Sequence, residues 1–248
     1  MKKYSILLLI LLFTGYQAHS QVLISLLFGD KLNSEYVEFG LDGGADFSSL
    51  KGISSNTSPN FYLGFYFDFT IKKNPQWVFN TGVIVKSTMG AEDIAVYSLN
   101  NPDLDDAFEG GSVQRKINYF NVPLVIKRKF GDHFSTGVGT MLGLRYKAHD
   151  VFTNKVIDKE DLTYELDIKD QTTHLDAGLM GVINYKLMSK LGMNIHVKYY
   201  YGLVNINKND AEGKQYNRSV YLGVGIPIGS RKNKKVEATD NNTAEKTN

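Results

Sequence analysis

The sequence predicts an all-β fold, an eight-stranded antiparallel up-and-down transmembrane β-barrel, from three observations. Apolar residues recur at every second position over most of the chain, which is the spacing of a strand and not of a helix. Eight such segments follow one another. Their connections alternate between short turns and long polar loops, the habit of barrels that cross an outer membrane.

The chain opens with a targeting pattern. Lys2 and Lys3 precede an apolar run from Ile6 to Phe13, and Ala18-His19-Ser20 supplies a small-x-small cleavage site before Gln21. This is the layout of a secretory signal peptide, and the run is too short to span a bilayer as a helix. Residues 1–20 are therefore read as a cleaved signal peptide and 21–34 as a periplasmic lead segment. Residues 35–229 form the barrel, and 230–248 a disordered basic and polar tail. Within the lead, the apolar residues 22–28 have no strand partner and are read as a brace or plug at the periplasmic mouth.

The strands come in order near residues 35–47, 61–71, 76–89, 114–130, 134–147, 172–187, 193–203 and 220–228. The second shows the alternation plainly. Phe61, Leu63, Phe65, Phe67, Phe69 and Ile71 share one face, against Tyr62, Gly64, Tyr66, Asp68 and Thr70. In the fourth, Phe120, Val122, Leu124 and Ile126 oppose Tyr119, Asn121, Val125 and Lys127. Short turns are expected at Lys73-Asn74-Pro75, Gly131-Asp132 and Ser189-Lys190. Loops are expected at 48–58, 90–113, 148–171 and 205–217. Pro123 and Pro227 fall inside strands, so a bulge or pairing break is expected at each.

Alternation alone does not say which face is outside. Three features place the apolar face in lipid. Glycines gather on the polar face (among them Gly40, Gly64, Gly137, Gly178 and Gly223), where they relieve crowding in a narrow lumen. Aromatics such as Trp77, Phe130, Phe134, Tyr146, Tyr185 and Tyr199 lie near strand ends, as interfacial girdles do. The polar face also carries both signs of charge in mid-strand. Glu38, Asp42, Asp68 and Asp176 are set against Lys86, Lys127, Arg145, Lys186 and Lys198, with His196 beside them as a hydrogen-bonding residue. Together these ten residues are expected to fill the lumen as a structural polar network. The rival is a soluble, lipocalin-like periplasmic barrel that buries its apolar face around an apolar ligand.

Composition excludes several chemistries. There is no cysteine, which removes disulfides, thiolate metal sites and cysteine nucleophiles. The 28 basic residues fall by two when Lys2 and Lys3 are cleaved, matching the 26 acidic ones, so charge gives no argument for nucleic acid. No cofactor or metal is expected. The acidic loop Asp103-Leu104-Asp105-Asp106, with Glu92, Asp93 and Glu109 nearby, lacks the spacing and glycine of an EF-hand and reads as a solvated loop. His133 and Ser135 share a strand face in the manner of a lipid hydrolase's His/Ser pair. They sit at a periplasmic turn, away from the outer leaflet, so no catalytic residue is assigned.

The segment Phe28-Gly29-Asp30-Lys31-Leu32-Asn33-Ser34 leading into Glu38-Phe39-Gly40-Leu41 resembles the first strand region of the PorT-like outer-membrane family. Tyr119-Phe120-Asn121-Val122-Pro123-Leu124, Tyr201-Gly202-Leu203 and Tyr221-Leu222-Gly223 are similar to that family as well. The resemblance covers nearly all of the mature chain and marks architecture more than chemistry. It implies an outer-membrane barrel, with a link to protein secretion through the family's founding member. One departure is that the last strand does not end the chain on a terminal aromatic. The expected function is a small outer-membrane barrel with a structural or binding role. It would contact outer-membrane lipids and present loops 90–113 and 148–171 to a protein partner. A lipid-modifying hydrolase is the alternative from another class.

Overall fold

The computed structural model describes residues 34–157, 160–187, 192–208 and 213–228. The expectations for residues 1–33, for the turn at Ser189-Lys190 and for the tail from Gly229 onward lie outside the described residues.

Among the described residues ten strands form one antiparallel sheet: β1 (Val37–Lys51), β2 (Ser58–Thr70), β3 (Trp77–Lys86), β4 (Thr88–Ile94), β5 (Ser112–Phe130), β6 (Phe134–Ile157), β7 (Glu160–Asp167), β8 (Leu175–Lys186), β9 (Asn194–Gly202) and β10 (Tyr216–Pro227). One short helix, α1 (Pro102–Ala107), interrupts the run between β4 and β5. Eight of the strands close a ring in the order β1-β2-β3-β5-β6-β8-β9-β10, with β1 pairing β10 from Gly40↔Pro227 to Lys51↔Tyr216. Closure satisfies every ring strand on both sides, the condition for a sheet to cross a bilayer. Among the described residues no helix is long and apolar enough to do so.

Side-chain parity then fixes what faces lipid. Val138 on β6 is 73% exposed and Leu175 on β8 is 64% exposed, whereas Asp46 on β1 is completely buried. The exposed face is a belt of Phe, Leu, Ile and Val, and the buried face holds the charges. A soluble barrel would show the opposite arrangement, so the lipocalin-like alternative fails on the geometry. Rings of aromatic residues mark the two ends of the belt. Trp77, Phe130, Phe134 and Tyr185 stand at the short-turn rim, and Tyr146 and Tyr199 toward the other.

The short turns are tight. The β5–β6 turn uses Gly131 at φ +69°, a left-handed conformation that glycine adopts without a Cβ penalty. The first described residues and Ile228 share this rim, where the Ile228 amide donates to the Phe39 carbonyl at 2.9 Å.

The sequence-based segmentation needs four corrections. First, the expected loop 148–171 is largely sheet, and the expected loop 90–113 begins and ends in strand with α1 between. β4 pairs β5 through Met89↔Ile117, and β7 pairs β6 through Phe152↔Tyr164. Second, Lys86 does not face the lumen. Leu63 pairs Lys86 while Gly64 pairs Ile84, so one extra residue, Val85, bulges β3 and swings Lys86 to the outer face. There its ammonium lies 5.5 Å from the Phe61 ring centroid. Third, Pro227 causes no break inside a strand; it is the last residue of β10, and β9 has already stopped pairing at Gly225↔Asn194. Its missing N–H faces no partner strand. Fourth, β1 runs on to Lys51, so the first outer loop is shorter than 48–58.

Pro123 behaves as expected on one side. It is in register with Met141 of β6, but the β3–β5 ladder skips from Thr81↔Leu124 to Ile84↔Asn121 around it.

Candidate functional site

The lumen is filled, and its filling is built from strand parity. On β1 the residues Glu38, Asp42 and Asp46 recur every fourth position on the inward face. Beginning at the short-turn mouth, Glu38 accepts a hydrogen bond from Tyr66 Oη at 3.0 Å. Asp68 holds Lys127 Nζ at 2.6 Å and accepts from Asn80 Nδ2 at 2.6 Å. One layer further in, Asp42 pairs with Lys198 and lies 3.0 Å from His196 Nε2, and Tyr62 Oη bridges the carboxylate and the imidazole at 3.1 and 2.8 Å. Burying an ion pair is tolerable only when further hydrogen bonds complete it, and Tyr62 and Asn80 supply them.

Higher in the lumen Asp176 is held by hydrogen bonds and not by an ion pair. Asp176 accepts from Asn217 Nδ2 at 2.7 Å, and the same amide donates to Tyr119 Oη at 3.2 Å. Arg145 is buried but donates from Nε to the Thr173 carbonyl at 3.0 Å instead of pairing with an acid. Lys186 lies half-buried at the short-turn mouth near Glu38, Asp68 and His133. The ten predicted residues thus do not form one network. Among the described residues Asp42–Lys198–His196 and Asp68–Lys127 form ion-paired clusters, Glu38, Arg145 and Asp176 make the hydrogen bonds given above, and Lys86 lies outside.

Sequence reading missed the tyrosines as lumen fillers. Tyr62, Tyr66, Tyr119, Tyr200 and Tyr221 are all buried, and the first four lie against glycines. A Cβ at Gly223 would collide with Tyr62, one at Gly40 with Tyr66, and one at Gly178 with Tyr200. These inward glycines therefore make room for rings, which is more specific than general relief of crowding. Asp46, also missed, shares the parity of Asp42 and was findable by it.

Beyond the belt, β4, α1, β7 and the far halves of β5 and β6 form a folded outer extension. Its apolar side chains Ile94, Phe108, Val113, Ile117 and Phe152, with Tyr97, Leu104, Tyr164 and Leu166 packed against them, continue the buried cluster that begins in the lumen at Tyr62, Tyr119 and Tyr221. The Phe152 ring meets Tyr97 edge-on at 5.0 Å and Phe108 at 5.9 Å. A buried fork joins this core to the barrel mouth. Arg115 binds Asp150 through Nε at 2.9 Å and Nη2 at 2.6 Å, and its Nη1 donates to Gln215 Oε1 at 2.8 Å. Tyr97 Oη donates to Asp150 at 2.9 Å; burial first, and then that carboxylate, pushes its phenol pKa up. Two bridges, Asn56↔Glu92 and Thr172↔Asn207, tie the remaining outer loops together.

The acidic loop is used for this architecture. Asn101 caps α1 by accepting from the Asp103 and Leu104 amides. Asp105 accepts from Ser98 Oγ and the Leu99 amide at 2.6 Å each, which hold its carboxyl below the usual range. Glu92 accepts from Ser58 Oγ and Gln114 Nε2, and Asp93 from Asn56 Nδ2. Among the described residues no cluster of metal-ligating side chains is present. The His133/Ser135 pair is not assembled either. His133 Nδ1 lies 2.9 Å from the Lys186 carbonyl and its ring stacks on Tyr185, while Ser135 is approached by Asn184 Nδ2 at 3.4 Å.

A family model described as the outer membrane protein beta-barrel domain matches residues 17–208. Among solved structures the chain is similar to Ail, the attachment invasion locus protein of Yersinia pestis, solved with the heparin analogue sucrose octasulfate. The identity is 12% over 77% of this chain and 99% of that one, with a TM-score of 0.39. OprG of Pseudomonas aeruginosa is 12% identical over 80% and 99%, with a TM-score of 0.41. Neisserial surface protein A is 10% identical over 78% and 99%, with a TM-score of 0.37. These likenesses carry no argument about ligands. No curated protein matches the sequence significantly. With the family model spanning most of a chain whose apolar belt, closed ring and filled lumen are those of a lipid-embedded barrel, the protein belongs to the outer membrane protein beta-barrel domain family and is a small outer-membrane β-barrel.

Proposed function

We propose that this barrel has a binding role and not a catalytic or conducting one, and that it presents its outer extension to a protein partner. The observation that carries the reading is the extension itself. Residues 88–118, 148–157 and 160–168 pack apolar side chains into the buried cluster instead of trailing as loose loops, so they offer a shaped surface. A filled eight-stranded lumen argues against a porin. The unassembled His133/Ser135 pair gives the hydrolase alternative no support. The Tyr119–Leu124 stretch and the Tyr201-Gly202-Leu203 stretch support placing the chain in the PorT-like group, with a secretion-related task by resemblance. Export through a cleaved signal peptide at residues 1–20, followed by the 21–34 lead, belongs to the same reading; the intact mass of the mature protein checks it.

Photo-crosslinking on intact cells tests the binding role. A benzoyl-phenylalanine at Leu162, exposed on β7, is expected to trap a discrete protein adduct that the same group at lipid-facing Leu179 does not. Equal adduct patterns from the two positions would remove the extension from consideration as a binding surface.

A further inference from the structure

The charges on the ring strands are sorted by face. Every acidic residue of these eight strands, Glu38, Asp42, Asp46, Asp68, Asp150 and Asp176, is directed inward. The charged residues on their lipid-facing side are all basic. At the short-turn rim this is Arg128, whose guanidinium lies 5.7 Å from the Trp77 ring and 5.4 Å from Phe130. At the long-loop rim, cross-strand pairing puts Lys51 beside Tyr216 and Arg218 beside Ser49.

The two rims differ in shape. Arg128 stands between aromatic rings as an interfacial anchor. Arg218 lines an open groove of about 480 Å³ on the outward side of β1, β10 and β9, together with Lys51, Ser49, Thr57, Phe47 and Tyr199. Its guanidinium is preset. Nη1 donates to the Gly202 and Asn217 carbonyls at 2.8 and 2.7 Å, and the plane lies 3.6 Å from the Tyr201 ring centroid. A planar fork fixed in this way is suited to a phosphate oxygen pair, because little side-chain freedom is lost on binding. Toward the bilayer centre the same surface continues as apolar Phe47, Val220 and Leu222.

We propose that this groove is a binding site for the phosphorylated headgroup of an outer-leaflet lipid. Arg218 and Lys51 take the phosphate, Ser49 and Thr57 hydroxyls stand beside it, and the acyl chains lie along Phe47 and Val220. The long-loop rim faces the outer leaflet in outer-membrane barrels, which places the cations at headgroup depth. Lipid is favoured over a soluble anion because the cations look sideways into the bilayer plane while the acids occupy the lumen.

The test uses the purified full chain in detergent and native mass spectrometry with three probes: bis-phosphorylated lipid A, the same lipid A with both phosphates removed, and inorganic phosphate. The wild type is expected to retain phosphorylated lipid A, and the paired substitution Arg218→Gln with Lys51→Gln to lose retention by about tenfold or more. Arg128→Gln at the opposite rim should change nothing. Retention of the dephosphorylated lipid at wild-type strength, or unchanged retention in the double variant, would overturn the site and leave Arg218 as an interfacial anchor. Retention of inorganic phosphate competing equally with lipid A would overturn the lipid assignment. Heat-modifiable gel mobility reports whether each variant is folded. Should Arg218→Gln not fold, Arg218→Lys keeps the charge without the fork and is expected to bind with intermediate strength.

Discussion

The membrane belt and the outer extension share strands, yet they are built inside out with respect to each other. Along β5 the inward positions Lys127 and Asn121 give way to Ile117 and Val113; along β6, Arg145 gives way to Ala148 and Phe152. The outward positions change in the reverse sense, from Ile126 and Phe120 to Lys116 and Gln114. Lipid solvates the apolar face in the belt, and polar groups there must find partners inside. Above the belt water is the solvent, so apolar groups turn in. The crossover falls where β5 and β6 shift register, between Asn118 and Tyr119. At that height β6 carries the extra residue Tyr146, while β5 keeps its odd-numbered residues inward throughout.

The sharpest way to break the comparison is to spoil the inside of each region. Asp42→Ala leaves Lys198 buried without its carboxylate, and a loss of about 3–5 kcal/mol is expected in denaturant unfolding from detergent. The double substitution Asp42→Leu with Lys198→Met should recover most of it. In the extension, Phe152→Ala is expected to cost about 3–5 kcal/mol locally. Protease cleavage within 95–111 on intact cells should rise while the barrel keeps its heat-modifiable mobility.

The outside comes next. Val138→Arg puts a charge into the belt, for a loss of up to about 2–4 kcal/mol, while Leu162→Arg on β7 should leave stability nearly unchanged. The smallest effect separates the faces of one sheet. Gly223→Ala drives a methyl into Tyr62 and is expected to cost about 1–3 kcal/mol. Gly181→Ala points into open space on the lipid side and should cost little. Equal effects of the two would mean that the rings do not pack as described.

How far the sequence was legible follows the same division. In the belt, one face is uniformly apolar, so Phe61 through Phe69 or Phe134 through Tyr146 announce both the strand and its outward side. The extension was hidden for two reasons. The register shift between Asn118 and Tyr119 breaks the period near Tyr146-Lys147, where the fifth predicted strand stops. The β7 run Glu160–Asp167 mixes acids with apolar residues, and reads as a loop until Tyr164 and Leu166 pack against the buried cluster. Lys86 was misplaced because a single bulged residue reverses parity, and no local pattern marks Val85 as the extra one. In the lumen, parity identified the charged residues but not their partners. That Asp42 meets Lys198, more than 150 positions away, depends on ring closure between β1 and β10.

The chain contains no cysteine, so single-cysteine variants report on one position at a time. The most direct test of the inside-out relation is labelling of Val138→Cys, Leu179→Cys and Leu162→Cys in intact cells with a membrane-impermeant maleimide. The structure predicts rapid labelling at 162, and protection at 138 and 179 that is lifted only when the outer membrane is dissolved and the protein unfolded. Equal labelling of all three in intact cells would contradict an apolar belt held in lipid.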